Sequence, residues 1–176
     1  MKVTSVNEKM NASNTEQFKE MFGEIFEHSP WIAQKAAEAK PFNSVEEAFE
    51  TMKKIVEEAN YEEQLALILE HPELGKRIKM SAASVREQNG ARLDSLSPEE
   101  FDVFTATNKA YMEKFEFPFI IAVAGKNKQD ILQAMKERLN NSRETEFETA
   151  LQQIYQIARL RFNAIIENLA SEESKF

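Results

Sequence analysis

The chain has no cysteine, only two histidines and only four glycines in 176 residues. Without thiols it has no disulfide, no thiolate nucleophile and no sulfur-held zinc or iron–sulfur cluster, and it suits a reducing compartment. Its histidines, His28 and His71, show no His-Glu-x-x-His spacing, so no metal centre is expected. There is neither a glycine-rich phosphate loop nor a serine elbow. No apolar run approaches the ~20 residues that span a bilayer, and the N-terminus lacks a hydrophobic signal core, so no membrane association is expected. Basic residues are in deficit, 22 Lys and Arg against 30 Asp and Glu, for a net charge of -8. That balance argues against nucleic acid, which needs clustered cations, and means that an anionic ligand must meet a local cation.

What is present is helix-forming sequence. A length of 176 residues with 42% hydrophobic content suits one buried core. The expected class is all-α, a single-domain helical bundle with one short extended apolar segment. Residues 1–13 are polar and unpatterned and read as a loose leader; residues 14–169 form the domain; residues 170–176 read as a fraying tail or the start of a linker. Asn14 with Gln17 caps a helix whose apolar stripe is Phe18, Met21, Phe22, Ile25 and Phe26. Ser29-Pro30-Trp31 reads as cap, first helical position and core anchor. Ser44-Val45-Glu46-Glu47 reads as a capping box before Val45, Phe49, Met52 and Val56. Asn60 with Glu63 starts the next, with Leu65, Ile68 and Leu69 on its buried face. Ser97-Pro98-Glu99-Glu100 opens another, carrying Phe101, Phe104, Asn108, Tyr111, Met112 and Phe115. Asn108 falls on that apolar stripe and needs a hydrogen-bond partner, in the core or on a ligand. Two further helices are expected, over about 128–140 and about 143–169.

Three features carry candidate chemistry. His71 precedes Pro72, whose ring pushes the preceding residue out of helical geometry, so His71 ends a helix with its imidazole at a break. An imidazole titrates near ~6.5 and suits proton transfer at neutral pH, although a histidine at a helix end also serves as a cap. Ser84, Glu87 and Gln88 share one face at i, i+3 and i+4, and Ser84-Val85-Arg86-Glu87 equally has the form of a capping box. Arg161 interrupts the stripe Phe147, Leu151, Ile154, Ala158 and Ile165. A core-facing guanidinium cannot lose its proton, so something anionic or rich in acceptors must face it. An ion pair with a carboxylate such as Glu87, a side chain reaching to the rim, and a bound ligand all remain open. Finally, residues 117–124 form a continuous apolar run containing Pro118. With no second strand to pair it, its backbone groups must bond to side chains, water or a ligand.

Taken in order, the blocks Ser29-Pro30-Trp31, Pro41-Phe42, His71-Pro72-Glu73-Leu74 and Ser84-x-x-Glu87-Gln88-x-Gly90-Ala91-x-Leu93 resemble one known family. Leu96-Ser97-Pro98-Glu99-Glu100-Phe101, Asn108-x-Ala110-Tyr111, Lys114-Phe115-x-Phe117-Pro118-Phe119-Ile120, Arg138-Leu139, Glu144-x-Glu146-Phe147 and Ile157-Ala158-x-Leu160-Arg161 continue the resemblance. The family is the 2-oxo-4-hydroxy-4-carboxy-5-ureidoimidazoline (OHCU) decarboxylases, which complete the route from urate to allantoin. The resemblance implies an all-helical homodimer that makes (S)-allantoin and CO2 without metal or organic cofactor. By motif, His71 matches the catalytic histidine, Glu87 its acidic partner and Arg161 the substrate arginine. Pro72, Ser84, Gln88 and the run Phe119, Ile120, Ile121, Ala122 and Val123 match substrate-contacting elements. Gly75-Lys76-Arg77 and Asn89 depart from the common pattern.

Some bacterial relatives carry this domain fused ahead of urate oxidase, so fusion to that enzyme or association with it in one pathway is implied. The terminal Ser174-Lys175-Phe176 differs from the Ser-Lys-Leu peroxisomal signal, which favours the cytoplasm, with the peroxisome open for a eukaryotic source. The competing reading is a non-catalytic helical module that binds a ureide or a partner.

Overall fold

The structure, a computed structural model, describes residues 5–72 and 96–173. Among these residues lie eight helices and no strand: α1 (Val6–Ala12), α2 (Thr15–Phe22), α3 (Trp31–Ala37), α4 (Val45–Glu58), α5 (Tyr61–Glu70), α6 (Pro98–Phe115), α7 (Lys128–Arg138) and α8 (Arg143–Glu173). No helix among them is long and apolar enough to cross a membrane. The chain gathers into two compact units, Met1–Glu70 with Tyr155–Phe176, and His71–Ile154. The long α8 contributes to both, residues 143–154 to the second unit and residues 155–173 to the first.

In the first unit α2 packs on α3 and α3 on α4. Asn14 accepts from the Gln17 amide while the Gln17 side chain accepts from the Asn14 N–H, a reciprocal capping box that satisfies two helix-end donors. The helix stops at Gly23, where a Cβ would lie 2.4 Å from the Lys19 carbonyl oxygen. Ile25 and Phe26 continue the buried stripe beyond the helix. The interior is aromatic: Phe22 and Phe49 lie 5.3 and 5.4 Å from Phe162 of α8, and Phe18 lies 4.9 Å from Phe22. Burying each such ring is worth roughly 1.5–3 kcal/mol.

Four expectations require correction here. The supposed leader is helical: Ser5 caps α1, Met10 is fully buried, and the Asn11 amide donates to the Phe42 carbonyl (2.8 Å) while accepting from its N–H (2.7 Å). One buried methionine leaves no periodicity to read. Ser29 does not cap α3; its hydroxyl donates to the Glu27 carbonyl at 2.9 Å and Pro30 holds the cap position. In α5 the buried pair is Leu67 and Ile68, and Leu69 is 52% exposed. Gln64 pins the helix by donating to the Val56 carbonyl (2.9 Å), and that contact sets its rotation. At the other end of the chain, α8 runs to Glu173, into the stretch expected to fray.

In the second unit α6 packs on α7. Ser97 and Glu100 form the expected capping box, and Glu100 also pairs with Lys128 at 2.8 Å. The Lys128 hydrogen bond, then the Ser97 amide, hold the Glu100 carboxyl below its ordinary range. Tyr111 and Phe115 on α6 meet Phe117 and Phe119 on the following segment. That segment bears no strand. It is irregular, and Phe117 to Val123 are all buried.

The caps give a direct test. Ser97→Ala should lower the unfolding free energy by about 1 kcal/mol in urea titration. Glu116, the C-cap of α6 at φ 61°, sits where glycine is favoured, so Glu116→Gly should raise stability by up to ~1 kcal/mol.

Candidate active site

His71 follows the last residue of α5 and is only 6% exposed; Pro72 beside it is half-buried. The break that Pro72 imposes does what the dipeptide predicts, ending the helix and setting the imidazole in a protected position. His71, Pro72 and Phe119–Val123 belong to the second unit. Arg161 belongs to the first, where Nη1 donates to Glu27 Oε2 at 2.7 Å and to the Glu24 carbonyl at 3.3 Å. The anionic partner that spacing demanded for Arg161 therefore exists, and it includes Glu27. Arg159, turned the other way, grips both oxygens of Glu46 at 2.6 and 2.7 Å and lies 4.6 Å over the Phe49 ring. Ser84, Glu87 and Gln88 lie outside the described residues.

Side chains meet three backbone groups of the Phe119–Val123 run, and the Val123 carbonyl accepts from the Lys126 N–H at 3.0 Å. The Ile120 carbonyl accepts from Arg138 Nη1 at 2.7 Å. The Ala122 N–H donates to Gln153 Oε1 at 2.9 Å, and its carbonyl accepts from Lys126 Nζ at 2.8 Å. Arg138 also lies 4.3 Å over the Phe119 ring, a cation–π contact. These contacts fix an irregular stretch that no sheet supports.

Behind them lies a group of residues that sequence reasoning used only as motif. Glu146 is fully buried. Its Oε1 accepts from Arg138 Nε at 2.7 Å, with Nη2 at 2.5 Å, and from the Tyr111 hydroxyl at 2.5 Å; its Oε2 accepts from Asn141 Nδ2 at 3.0 Å. Burial, then the Glu146 carboxylate, push the Tyr111 phenol well above its ordinary range, so it remains a donor at neutral pH. The available signal was Glu146 beside Phe147 on a buried stripe, with Arg138 before the preceding helix end.

The OHCU decarboxylase family model matches residues 11–163. The chain belongs to this family. An OHCU decarboxylase from Haloferax volcanii is 44% identical over 165 residues, covering 94% of this chain and 96% of that one. The uric acid degradation bifunctional protein PucL of Bacillus subtilis is 45% identical over 166 residues, and there the match covers 94% of this chain but 34% of the longer protein. A crystal structure of OHCU decarboxylase in the presence of (S)-allantoin superimposes with a TM-score of 0.68 at 26% identity, covering 88% of this chain and 99% of that one. Within the OHCU decarboxylase frame, the Glu146 cluster is what holds the segment after α6 in place.

Glu146→Gln leaves the Arg138 guanidinium buried without its counter-charge. Urea unfolding should show a loss of about 3–5 kcal/mol, against about 1 kcal/mol for Asn141→Ala. Equal small losses in both would show that the ion pair is dispensable.

Proposed function

We propose that this chain removes CO2 from OHCU to give (S)-allantoin, using His71, Glu87 and Arg161. The observation that carries the reading is the family match across residues 11–163 around a buried imidazole at a helix break.

The substrate bears a carboxylate and a hydroxyl on one ring carbon, next to a C=N bond. When the carbon–carboxylate bond breaks, its electron pair forms a double bond to the neighbouring carbon, the C=N electrons pass to the ring nitrogen, which takes up a proton, and CO2 leaves. The hydroxyl carbon becomes a carbonyl on losing its proton, and a proton arrives at the neighbouring carbon. The electron sink is internal to the substrate, so the protein has only to orient and stabilise. His71 and Glu87 hold the hydroxyl and turn the carboxylate out of the ring plane, aligning the breaking bond with the π system. His71 then delivers the proton to one face, which sets the (S) configuration. Arg161 and the backbone from Phe119 to Val123, with Pro72, Ser84 and Gln88, bind the ring and ureido groups, as their motifs imply.

The second unit's geometry supports this assignment in one respect. Side chains occupy the carbonyls of Ile120 and Ala122, which fixes the peptide planes of the run before any ligand arrives. The expected assembly is a homodimer in the cytoplasm. A relative named for two functions in uric acid degradation supports pathway association with urate oxidase.

The test generates OHCU from urate in the cuvette and follows circular dichroism. Addition of the protein should accelerate the appearance of optically active (S)-allantoin, whereas a slow racemic decay would defeat the assignment. His71→Ala should cut kcat about 100-fold or more while the far-ultraviolet spectrum stays unchanged. Near-normal turnover in the folded variant would remove His71 from the mechanism.

A further inference from the structure

Asn108 is a polar side chain on an otherwise apolar face. It lies on α6 between Phe104 and Tyr111, which are both buried, and is itself only 8% exposed. Its Oδ1 is buried and has no hydrogen-bond partner among the described residues. Amides buried in this way are nearly always satisfied, because an unpaired acceptor loses its water and gains nothing in return. An apolar side chain of the same shape would suit the stripe better. The neighbourhood says what the acceptor is for. One turn further along the stripe, Tyr111 meets the Phe119 ring edge-on at 5.1 Å, so this face of α6 looks onto the start of the Phe119–Val123 run. Asn108, that run and His71 belong to the same compact unit.

We propose that Asn108 is a substrate-binding residue, its Oδ1 accepting a hydrogen bond from a ring or ureido N–H of the substrate. The inference rests on the decarboxylase reading above and extends it to a residue on a separate helix. An acceptor without competing donors is selective. It accommodates the N–H groups in which a ureidoimidazoline is rich, and it disfavours a carbonyl or carboxylate at the same place. It also supplies an orienting contact from α6, complementary to the donors of the backbone amides in the same unit.

The test separates binding from folding through Asn108→Leu, close to isosteric and without polar atoms, with Asn108→Ala as a second variant. Because Oδ1 has no partner among the described residues, Asn108→Leu should keep or raise Tm. The same variant should raise KM for OHCU about 10- to 100-fold, and the Tm increase that (S)-allantoin gives the wild type should disappear. An unchanged KM in a variant of an active wild type overturns the role of Asn108 alone. Loss of Tm in both variants in step with activity overturns it too, since the amide would then be holding the fold. A wild type that does not accelerate (S)-allantoin formation defeats the underlying reading instead, and this inference with it.

Discussion

Glu146 has no exposed surface, and burying a carboxylate is costly unless cations and donors surround it. Arg138, Tyr111 and Asn141 do so, and each comes from a different stretch: the end of α7, the middle of α6 and the turn before α8. The ion pair thereby fastens three elements at one point. Arg138 then uses a further nitrogen on the Ile120 carbonyl, which extends the fastening to the irregular run after α6. Burial of such a pair is poor value for stability compared with packed apolar groups. Its merit is that a planar guanidinium can satisfy a carboxylate and a peptide carbonyl together, in one fixed geometry. A lysine carries the same charge without that fork.

The cations of an acidic chain are placed with similar economy. Arg159 and Arg161, two residues apart on α8, point to opposite sides and find Glu46 and Glu27 respectively. Arg161 is proposed to meet substrate as well, and its contact with Glu27 bears on that role. A carboxylate beside a guanidinium holds the side chain in one rotamer, which lowers the entropic cost of ligand binding. It also competes for the same N–H groups. A guanidinium has five of them, and Nη1 meets both Glu27 and the Glu24 carbonyl.

Much of this was legible in sequence because capping is local chemistry. The boxes at Asn14 and Ser97 form as written, since each needs only residues within one turn; at Ser44 only half of the box forms, because the Glu47 side chain accepts from the Asn43 N–H instead. Ser29 looked identical on paper, but its hydroxyl turned to the Glu27 carbonyl, a choice made by the chain before the helix. Leu69 failed for a related reason: the rotation of a ten-residue helix is set by tertiary pins such as Gln64 on Val56, not by periodicity alone. α1 was hidden because its only anchors are Met10 and an amide that reaches Phe42, 31 residues away. His71 was the most legible of the site residues. Its behaviour follows from Pro72, and burial then removed it from the ordinary surface. The Glu146 cluster was visible only as letters within the motifs Arg138-Leu139 and Glu144-x-Glu146-Phe147, because its meaning depends on residues 8 and 35 positions away.

That last failure suggests how polar residues on buried stripes should be read. Glu146, Arg161 and Asn108 all interrupt an apolar pattern, and each interruption costs stability unless something answers it. Glu146 is answered inside the fold, and Arg161 at least partly so. Asn108 Oδ1 is not answered by any of the described residues. A reaction whose electron sink belongs to the substrate leaves the protein one main task, holding a ring in a single orientation while a bond lines up with the π system. Rigid donors, a fixed irregular backbone and an acceptor kept waiting on α6 are the parts that task requires. On this view the unsatisfied amide is the complement of the satisfied carboxylate: one polar group closes the frame, and the other is left for what the frame is built to hold.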